Sequence, residues 1–510
     1  MVFAFPNLYS VGIASLGYQV VWRLLKGCPE LRVARLFMDL AEPLPPDREL
    51  VGFSFSWELD FTNILTLLTQ LQIPLSAHER SHDHPLVFGG GPVLTANPEP
   101  FADFFDVVLL GDGEELVPEF VRAYAQVRHL DRAHQLQHLS QVAGVYIPSL
   151  YQVTYLSPTG GVAQIQALTP APATVTKRTW RGDHLSASTV VTPHSAWENI
   201  YMVEVVRSCP ELCRFCLASY LTLPFRTAPV TGSLLPLIEA GLRVTSRLGL
   251  LGASVTQHPE FEQVLDYLAE PQFEQIHLSV SSVRANTLTP KMTQTLASRG
   301  ANSVTIAVET GSERLRQVIN KKLTNPEIET CAGIVAEGGL KGLKLYGMVG
   351  LPSEETADLA ATLDLLTRLR QAQRGLRLSF GCSTFVPKAH TPFQVYGVDR
   401  QAEKKLELFA RRLPKIGVDF RPESYGWSVM QALISRGDRR VGQVLRQVHQ
   451  TGASLGTFRR AFKELKGQLP PLEHYVHDDW SGQVLPWQHL LGPVAEGVLT
   501  RHLETARAQM

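Results

Sequence analysis

Short apolar runs recur along the first 130 residues, separated by stretches in which apolar positions return every third or fourth residue. The runs "VFAFP", "ARLFMDL", "LVGFSFSW", "PLVFGGG" and "FDVVLLGDG" read as strands buried on both faces. "TNILTLLTQLQ" and "EELVPEFVRAYAQV" carry the helical period. Strand and helix in alternation predict a doubly wound parallel sheet over residues 1–130. Ligands of such sheets sit at the carboxyl ends of the strands. That nominates the loops "PNLYSVG", "GGGPVLTANPEP" and "GDGEE".

The pattern fades over residues 131–198, where Pro, Gly, Ser and Thr predict a connector holding at most a small hairpin. It returns over residues 199–395. "IYMVEVV", "RLGLLGAS", "QIHLSVSS", "SVTIAVET", "GLKLYGMVG" and "RLSFGCSTFVP" read as six strands with helices between them, a partial (β/α)6 barrel. Residues 396–510 turn helical and charged. The predicted fold class is therefore α/β: a Rossmann-like sheet, a connector, a partial barrel and a mainly helical C-terminal region.

Charge and composition narrow the class without naming it. The 48 basic side chains balance the 48 acidic ones, so no bulk charge argues for nucleic acid or a membrane surface as partner. No apolar run is long enough for a transmembrane helix, and "MVFAFPNLYSVG" lacks the features of a secretory signal. Six cysteines are too few for a disulfide framework in a chain of 510 residues. A reducing, cytoplasmic location is expected.

Half of those cysteines fall within "RSCPELCRFC", at Cys209, Cys213 and Cys216, spaced C-x3-C-x2-C after the first strand of the second sheet. Thiolates bind zinc and iron–sulfur clusters, but a structural zinc site normally takes four ligands. Three cysteines on one loop can hold three irons of a [4Fe–4S] cube and leave the fourth open, which is what catalysis needs. A zinc site completed by a distant histidine, or three reduced buried thiols, are the alternatives.

The cysteine spacing, with Phe215 before the last cysteine, resembles the signature of the radical S-adenosylmethionine enzymes. The resemblance implies that Cys209, Cys213 and Cys216 ligate a [4Fe–4S] cluster whose open iron is chelated by S-adenosylmethionine. Reductive cleavage then yields a 5′-deoxyadenosyl radical, with the electron from an external flavodoxin- or ferredoxin-type donor. It also implies that Gly252 and Ala253 meet the methionine amino group, that Glu309 in "VTIAVETGSE" meets the ribose, and that Met348 in "LYGMVGLPSE", with Gly350 and Leu351, lies near the adenine. Gly252 and Ala253 depart from the family's Gly-Gly-Glu, so the acidic partner there is missing.

The sheet ahead of the barrel resembles the cobalamin-binding class of that superfamily. Asn7, Tyr9 and Gly12 stand at the spacing of its D-x-H-x-x-G motif, Ser54 and Ser56 at its S-x-L, and Gly89, Gly90 and Gly91 at its Gly-Gly pair. Tyr9 replaces the histidine that ligates cobalt, so cobalamin bound here has no protein histidine. Together with "VPKAHTPFQ" and "SRGDRRVG", these segments resemble one uncharacterised bacterial radical S-adenosylmethionine family with a cobalamin (B12)-binding-like N-terminal domain, over nearly the whole chain.

The expected function is cobalamin-dependent methyl transfer to an unactivated carbon. The alternatives are a cobalamin-independent radical oxidation or rearrangement, including RNA- or protein-modifying chemistry, and a non-catalytic iron–sulfur scaffold or redox sensor. A methylthiotransferase would need three N-terminal cysteines, and that region has only Cys28. The substrate is not named by any motif; no aromatic–basic interleaving indicates RNA. Lys388, His390 and Phe393 are candidates for the barrel mouth, and a turn closing the barrel is the alternative. Arg436, Arg439 and Arg440 are candidates for gripping an anion, with a solvated helix start favoured over that role. "VLPWQHLLG" is expected to pack as core.

Overall fold

A computed structural model describes all 510 residues. The first sheet holds β1 (Val2–Ala4), β2 (Ala34–Leu36), β3 (Leu50–Ser54), β4 (Leu86–Gly90), β5 (Val107–Leu109) and β6 (Val145–Tyr146), in the order β2-β1-β3-β4-β5-β6. All pairings are parallel except β5 with β6. This is a doubly wound order, with its switch point between β1 and β3. Val2, Val51, Val87 and Val108 face one core, while Phe3, Leu50, Phe88 and Leu109 face the other. Both faces are covered, which is why these strands read as unbroken apolar runs. β6 lies beyond the expected end at residue 130.

The connector does contain a hairpin, β7 (Tyr151–Tyr155) against β8 (Val162–Ala167). It continues into β9 (Val175–Thr176).

The second α/β unit starts with β10 (Ile200–Glu204). A two-residue pair follows, β11 (Val206–Arg207) against β12 (Arg226–Thr227), and the cysteine loop spans it. β13 (Arg247–Leu251) and β14 (His277–Val280) complete a parallel sheet of order β10-β13-β14. β15 (Ser303–Glu309), β16 (Gly342–Val349), β17 (Arg377–Thr384) and β18 (Asp419–Pro422) form a second parallel sheet. A single parallel bridge, Val283 to Ile306, joins the two, so the whole is an open partial barrel. All six expected strands are present. β18 is a seventh, past the expected boundary at residue 395.

The C-terminal region is helical as expected, but it also completes the core of the first domain. The helix Tyr425–Arg436 is buried along most of its length, and Val429, Leu433, Val444 and Leu445 share a core with Val51, Phe53 and Val87. Trp487 is buried in the same core, and Leu490–Leu491 forms β19, paired in parallel with β9.

Candidate functional site around the cysteine loop

The loop from Ser208 to Cys216 closes the β11–β12 pair, and the first domain ties down its base. Asp112, in the predicted "GDGEE" loop, meets Arg226 at 2.6 Å and Arg207 at 3.6 Å, and Arg207 also meets Glu114 at 2.7 Å. Burial works against the Asp112 charge, but Lys177, Arg207 and Arg226 outweigh it and hold the carboxyl below its ordinary range. The loop expected to bind a ligand thus docks one domain on the other, and its Gly111, Asp112, Gly113 and Glu114 also line a cavity between them.

Ser208 and Leu212 take left-handed backbone conformations, at φ 72° and 55°. Such residues cost roughly 1–3 kcal/mol each and persist where neighbours fix them. Here the Leu212 carbonyl accepts from Asn320 Nδ2 at 2.8 Å and from Tyr220 Oη at 3.0 Å. Asn320 Nδ2 also donates to the Glu211 carbonyl at 3.1 Å. The Arg214 amide donates to Ile319 O at 2.9 Å, and its guanidinium to Val318 O at 2.6 Å and Gln509 Oε1 at 2.7 Å. His502 Nδ1 lies 2.9 Å from Tyr220 Oη, so the helix Val498–Arg507 and the residues after it lie against the loop.

All three thiols are free; Cys213 is buried, and Cys209 and Cys216 are half-buried. Burial pushes Cys213 up to about 12 against the pull of Lys321, and it raises Cys216 against hydrogen bonds from Ser219. Both are protonated in the metal-free protein, so metal binding must release their protons. Nowhere are three His, Cys, Asp or Glu side chains gathered so as to hold one ion. Three separate thiolates on one loop fit a polynuclear cluster.

Glu309 ends β15 at a register shift, with φ 65°, and is buried against Lys321, Nζ to Oε1 2.9 Å. Burial opposes the Lys321 charge, but Glu309 and Cys213 together raise its pKa. Lys321 and Asn320 are site residues the sequence reading missed. An asparagine directly after a helix, where left-handed backbone is common, was the available signal. Phe215 and Met348 pack on one small core with Leu351, Phe385 and Phe393. Gly350 also takes a left-handed φ, 76°, and its amide donates to Glu354 at 2.6 Å.

A cavity of about 460 Å³ joins the two α/β units. Its apolar part runs between the first sheet (Phe3, Phe53, Phe88) and the helices Leu16–Lys26 and Gly113–Val127. Its mouth carries Ser54, Ser56, Gly90 and Gly91 from the first domain and Ser208, Gly252 and Ala253 from the second. Six predicted residues from two domains are thereby brought together. Gly91 has φ 110°, and a Cβ there would lie 2.5 Å from Phe55 O. Gly252 lies against β11, where a Cβ would meet Val206 O at 2.7 Å.

The remaining predicted residues lie elsewhere. Gly89 is packed under Leu94 and Phe105. Asn7 bonds Asp60 at 3.0 Å, the Tyr9 amide bonds Asp39 at 2.6 Å, and the Tyr9 ring stands edge-on to Phe37. Gly12 is enclosed by Phe37 and Phe5. None of Asn7, Tyr9 and Gly12 lines the cavity, and neither do Glu309 and Met348.

The C-terminal candidates need correction. Lys388 pairs with Glu58 and bonds Ser435, His390 is buried with its pKa drawn down by burial to about 4, and Phe393 is fully buried. The arginines are neither an anion grip nor a solvated helix start. Arg436 donates to the carbonyls of Tyr475, Val476, Val395 and Asp478. Arg439 binds Glu99 at 2.7 Å, and Arg440 binds Asp438 at 2.6 Å and two hairpin carbonyls. Arg436 and Arg440 are buried and Arg439 is half-buried, and the donors of all three are used in packing the C-terminal region.

Comparison with known proteins agrees with this geometry. Residues 17–148 match the family described as radical SAM proteins, N-terminal, and residues 203–366 match the radical SAM superfamily. An uncharacterized protein of Methanocaldococcus jannaschii is 25% identical over 445 residues, 86% of this chain and 89% of its own length. TsrM of Kitasatospora setae, a radical S-adenosylmethionine methyltransferase solved with cobalamin and a [4Fe–4S] cluster, has a TM-score of 0.55 at 13% identity, over 100% of this chain and 98% of that one. Its structure with tryptophan substrate and a S-adenosylmethionine analogue scores 0.54 at 13% identity, over 77% and 75%. At that identity the likeness to TsrM is one of fold. With the cysteine loop on the barrel and both matched segments in order along it, the chain belongs to the radical S-adenosylmethionine superfamily.

Proposed function

We propose that the protein is a cobalamin-dependent radical S-adenosylmethionine methyltransferase acting on an unactivated carbon. The cavity between the domains carries this reading. Its apolar slot between sheet and helices suits a flat aromatic nucleotide base, and its polar part, with Ser54, Ser56, Asp112, Glu204 and Arg207, reaches Ser208, the residue before Cys209. No lining residue is a histidine, so a corrin seated there has no imidazole from the protein. Leu8, Val11 and Trp57, exposed on the loops after β1 and β3, offer further apolar surface at the switch point.

Cys209, Cys213 and Cys216 would hold the cluster, Gly252 and Ala253 the methionine end of S-adenosylmethionine, Glu309 the ribose and Met348 the adenine. When bound, these groups supply one-electron cleavage of S-adenosylmethionine and a transferable methyl. The chain supplies position and shielding. Asn320 and Tyr220 hold the Leu212 turn, Lys321 places a cation near Cys213, and Phe215, Met348 and Phe393 form a dry wall. A flavodoxin- or ferredoxin-type reductant is the expected electron donor. No helix is long and apolar enough to cross a membrane, and a cytoplasmic location is part of the proposal.

Anaerobic reconstitution of the full chain tests it. About four irons per chain, corrin absorbance that stays with the protein through gel filtration, and methyl transfer are expected. Protein that cleaves S-adenosylmethionine but retains no corrin overturns the methyl-transfer reading. Absence of 5′-deoxyadenosine under reducing conditions overturns the radical chemistry and leaves a scaffold.

A further inference from the structure

The ion pair of Glu309 with Lys321 is built differently from one that serves only the fold. Arg80 and Asp106 show the second kind. Arg80 also donates to the carbonyls of Pro74, Leu75 and Phe104, and Asp106 also accepts from the Val87 amide. Lys321 Nζ makes one hydrogen bond, to Glu309 Oε1 at 2.9 Å, and Glu309 Oε2 makes none. Their side chains are only 11% and 10% exposed. A buried pair with donors and acceptors unspent is a poor device for stability, since desolvation of two charges is set against a single contact.

The pair stands where the cysteine loop is held. Asn320 clamps the carbonyls of Glu211 and Leu212, so the next residue on each side of that contact, Lys321 and Cys213, is brought in beside it. The Lys321 amide is fixed by Arg316 O at 2.7 Å. Among charged groups Lys321 acts most strongly on Cys213, and Glu309 acts on both Cys213 and Cys216. Other charges of the loop have partners of their own. Glu211 meets Gln257 at 2.6 Å, Arg284 at 3.4 Å and Lys322 at 3.8 Å. Arg214 spends its guanidinium on Gln317 O, Val318 O and Gln509 Oε1.

We propose that Lys321 and Glu309 set the reduction potential of the cluster that Cys209, Cys213 and Cys216 would hold. The proposal rests on the radical-enzyme reading of the cysteine loop. Reduction adds one electron, delivered by the external flavodoxin- or ferredoxin-type donor. The Lys321 cation favours that added charge, and the Glu309 carboxylate opposes it. Potentials of iron–sulfur clusters respond to nearby charge, hydrogen bonding and solvent exposure. At a buried site water screens such a charge little. Neither side chain is a thiolate, so both act through the cluster. Lys321 also fixes Glu309 by one oxygen and leaves Oε2 for the ribose.

The test reads the cluster alone, without S-adenosylmethionine, corrin or turnover. The full chain is reconstituted anaerobically with iron and sulfide and poised with redox mediators at the wild-type midpoint. Reduced cluster is measured by electron paramagnetic resonance. In Lys321→Met the ratio of reduced to oxidised cluster falls about tenfold or more, a midpoint about 59 mV lower for a one-electron couple. Lys321→Arg keeps the charge and holds the ratio within about threefold of wild type. Glu309→Gln raises it, a sign that disturbed packing would not give. Lys321→Met leaves a buried carboxylate unpaired; adding it to Glu309→Gln avoids this, and there too the ratio falls about tenfold. A smaller fall in both backgrounds, a fall in Lys321→Arg equal to that in Lys321→Met, or a fall in Glu309→Gln each overturns the proposal. A wild-type chain that assembles no [4Fe–4S] cluster overturns it together with the radical reading, whereas clusters of equal potential in wild type and variants overturn this proposal alone.

Discussion

The loop after β1 and the loop that carries the three cysteines hold the same station in their two sheets, since each leaves the carboxyl end of the unit's first strand. They are built on different terms. Residues 6–12 fold into a helical turn, Tyr9–Gly12, and settle mainly on neighbours within their own domain, Asp39, Asp60 and Phe37, with one bond from outside it, the Ala196 amide to Ser10 O at 2.8 Å. The cysteine loop takes its anchors from Asn320, from Ile319 and from Gln509, far along the chain. A loop that satisfies itself spends its side chains on its own shape. A loop shaped from outside keeps Cys209, Cys213 and Cys216 free for chemistry.

Breaking the second loop should therefore cost far more than breaking the first. Cys213→Ala removes a thiol and leaves the anchors. Reductive cleavage of S-adenosylmethionine should fall more than about a hundredfold, read as 5′-deoxyadenosine by chromatography; activity above a tenth of wild type would remove Cys213 from the site. Asn320→Ala deletes two hydrogen bonds to the loop carbonyls, worth about 1 kcal/mol each. Iron release to a chelator from the reconstituted protein should quicken about tenfold, a factor that about 1.4 kcal/mol supplies. Asn7→Ala, the matching deletion in the first loop, should leave that rate unchanged, and equal effects would erase the contrast.

Gly91→Ala asks whether the first cavity needs its mouth shape. The positive φ and the close Phe55 carbonyl predict a loss of about 1–3 kcal/mol, seen as a lower denaturant midpoint. The smallest effect belongs to Asp60, which burial raises to about 6 against the hydrogen bond from Asn7. The folded protein holds this proton more tightly than the unfolded chain does. Its contribution is therefore full below the unfolded value and is lost as pH rises through 6. Asp60→Asn should raise Tm by about a degree at pH 7.5, the effect being screened by partial exposure, and leave it unchanged at pH 4. A rise at both pH values would point to a cause other than titration.

Much of this was legible in the sequence because the strands are buried on both faces. Val51, Phe53, Val87 and Phe88 cannot alternate with polar residues when helices cover each side. β18, "DFRP", escaped the same reading because it is a short, largely exposed edge strand. The three cysteines were legible because their spacing is itself the chemistry. Lys177 and Lys321 were not, since a lone lysine in a polar run says nothing about burial. Arg436, Arg439 and Arg440 misled for the converse reason: clustered charge reads as solvent-facing, and the carbonyls that bury it come from segments the local sequence does not contain.

The link from Arg214 to Gln509 spans 295 positions. On a ribosome, the cysteines emerge long before the residues that close over them. Until Tyr220 can meet His502 and Arg214 can meet Gln509, the loop lacks its C-terminal anchors. The order of synthesis thus leaves the cysteine loop without these two contacts until the helix Val498–Arg507 has been made and settles into place.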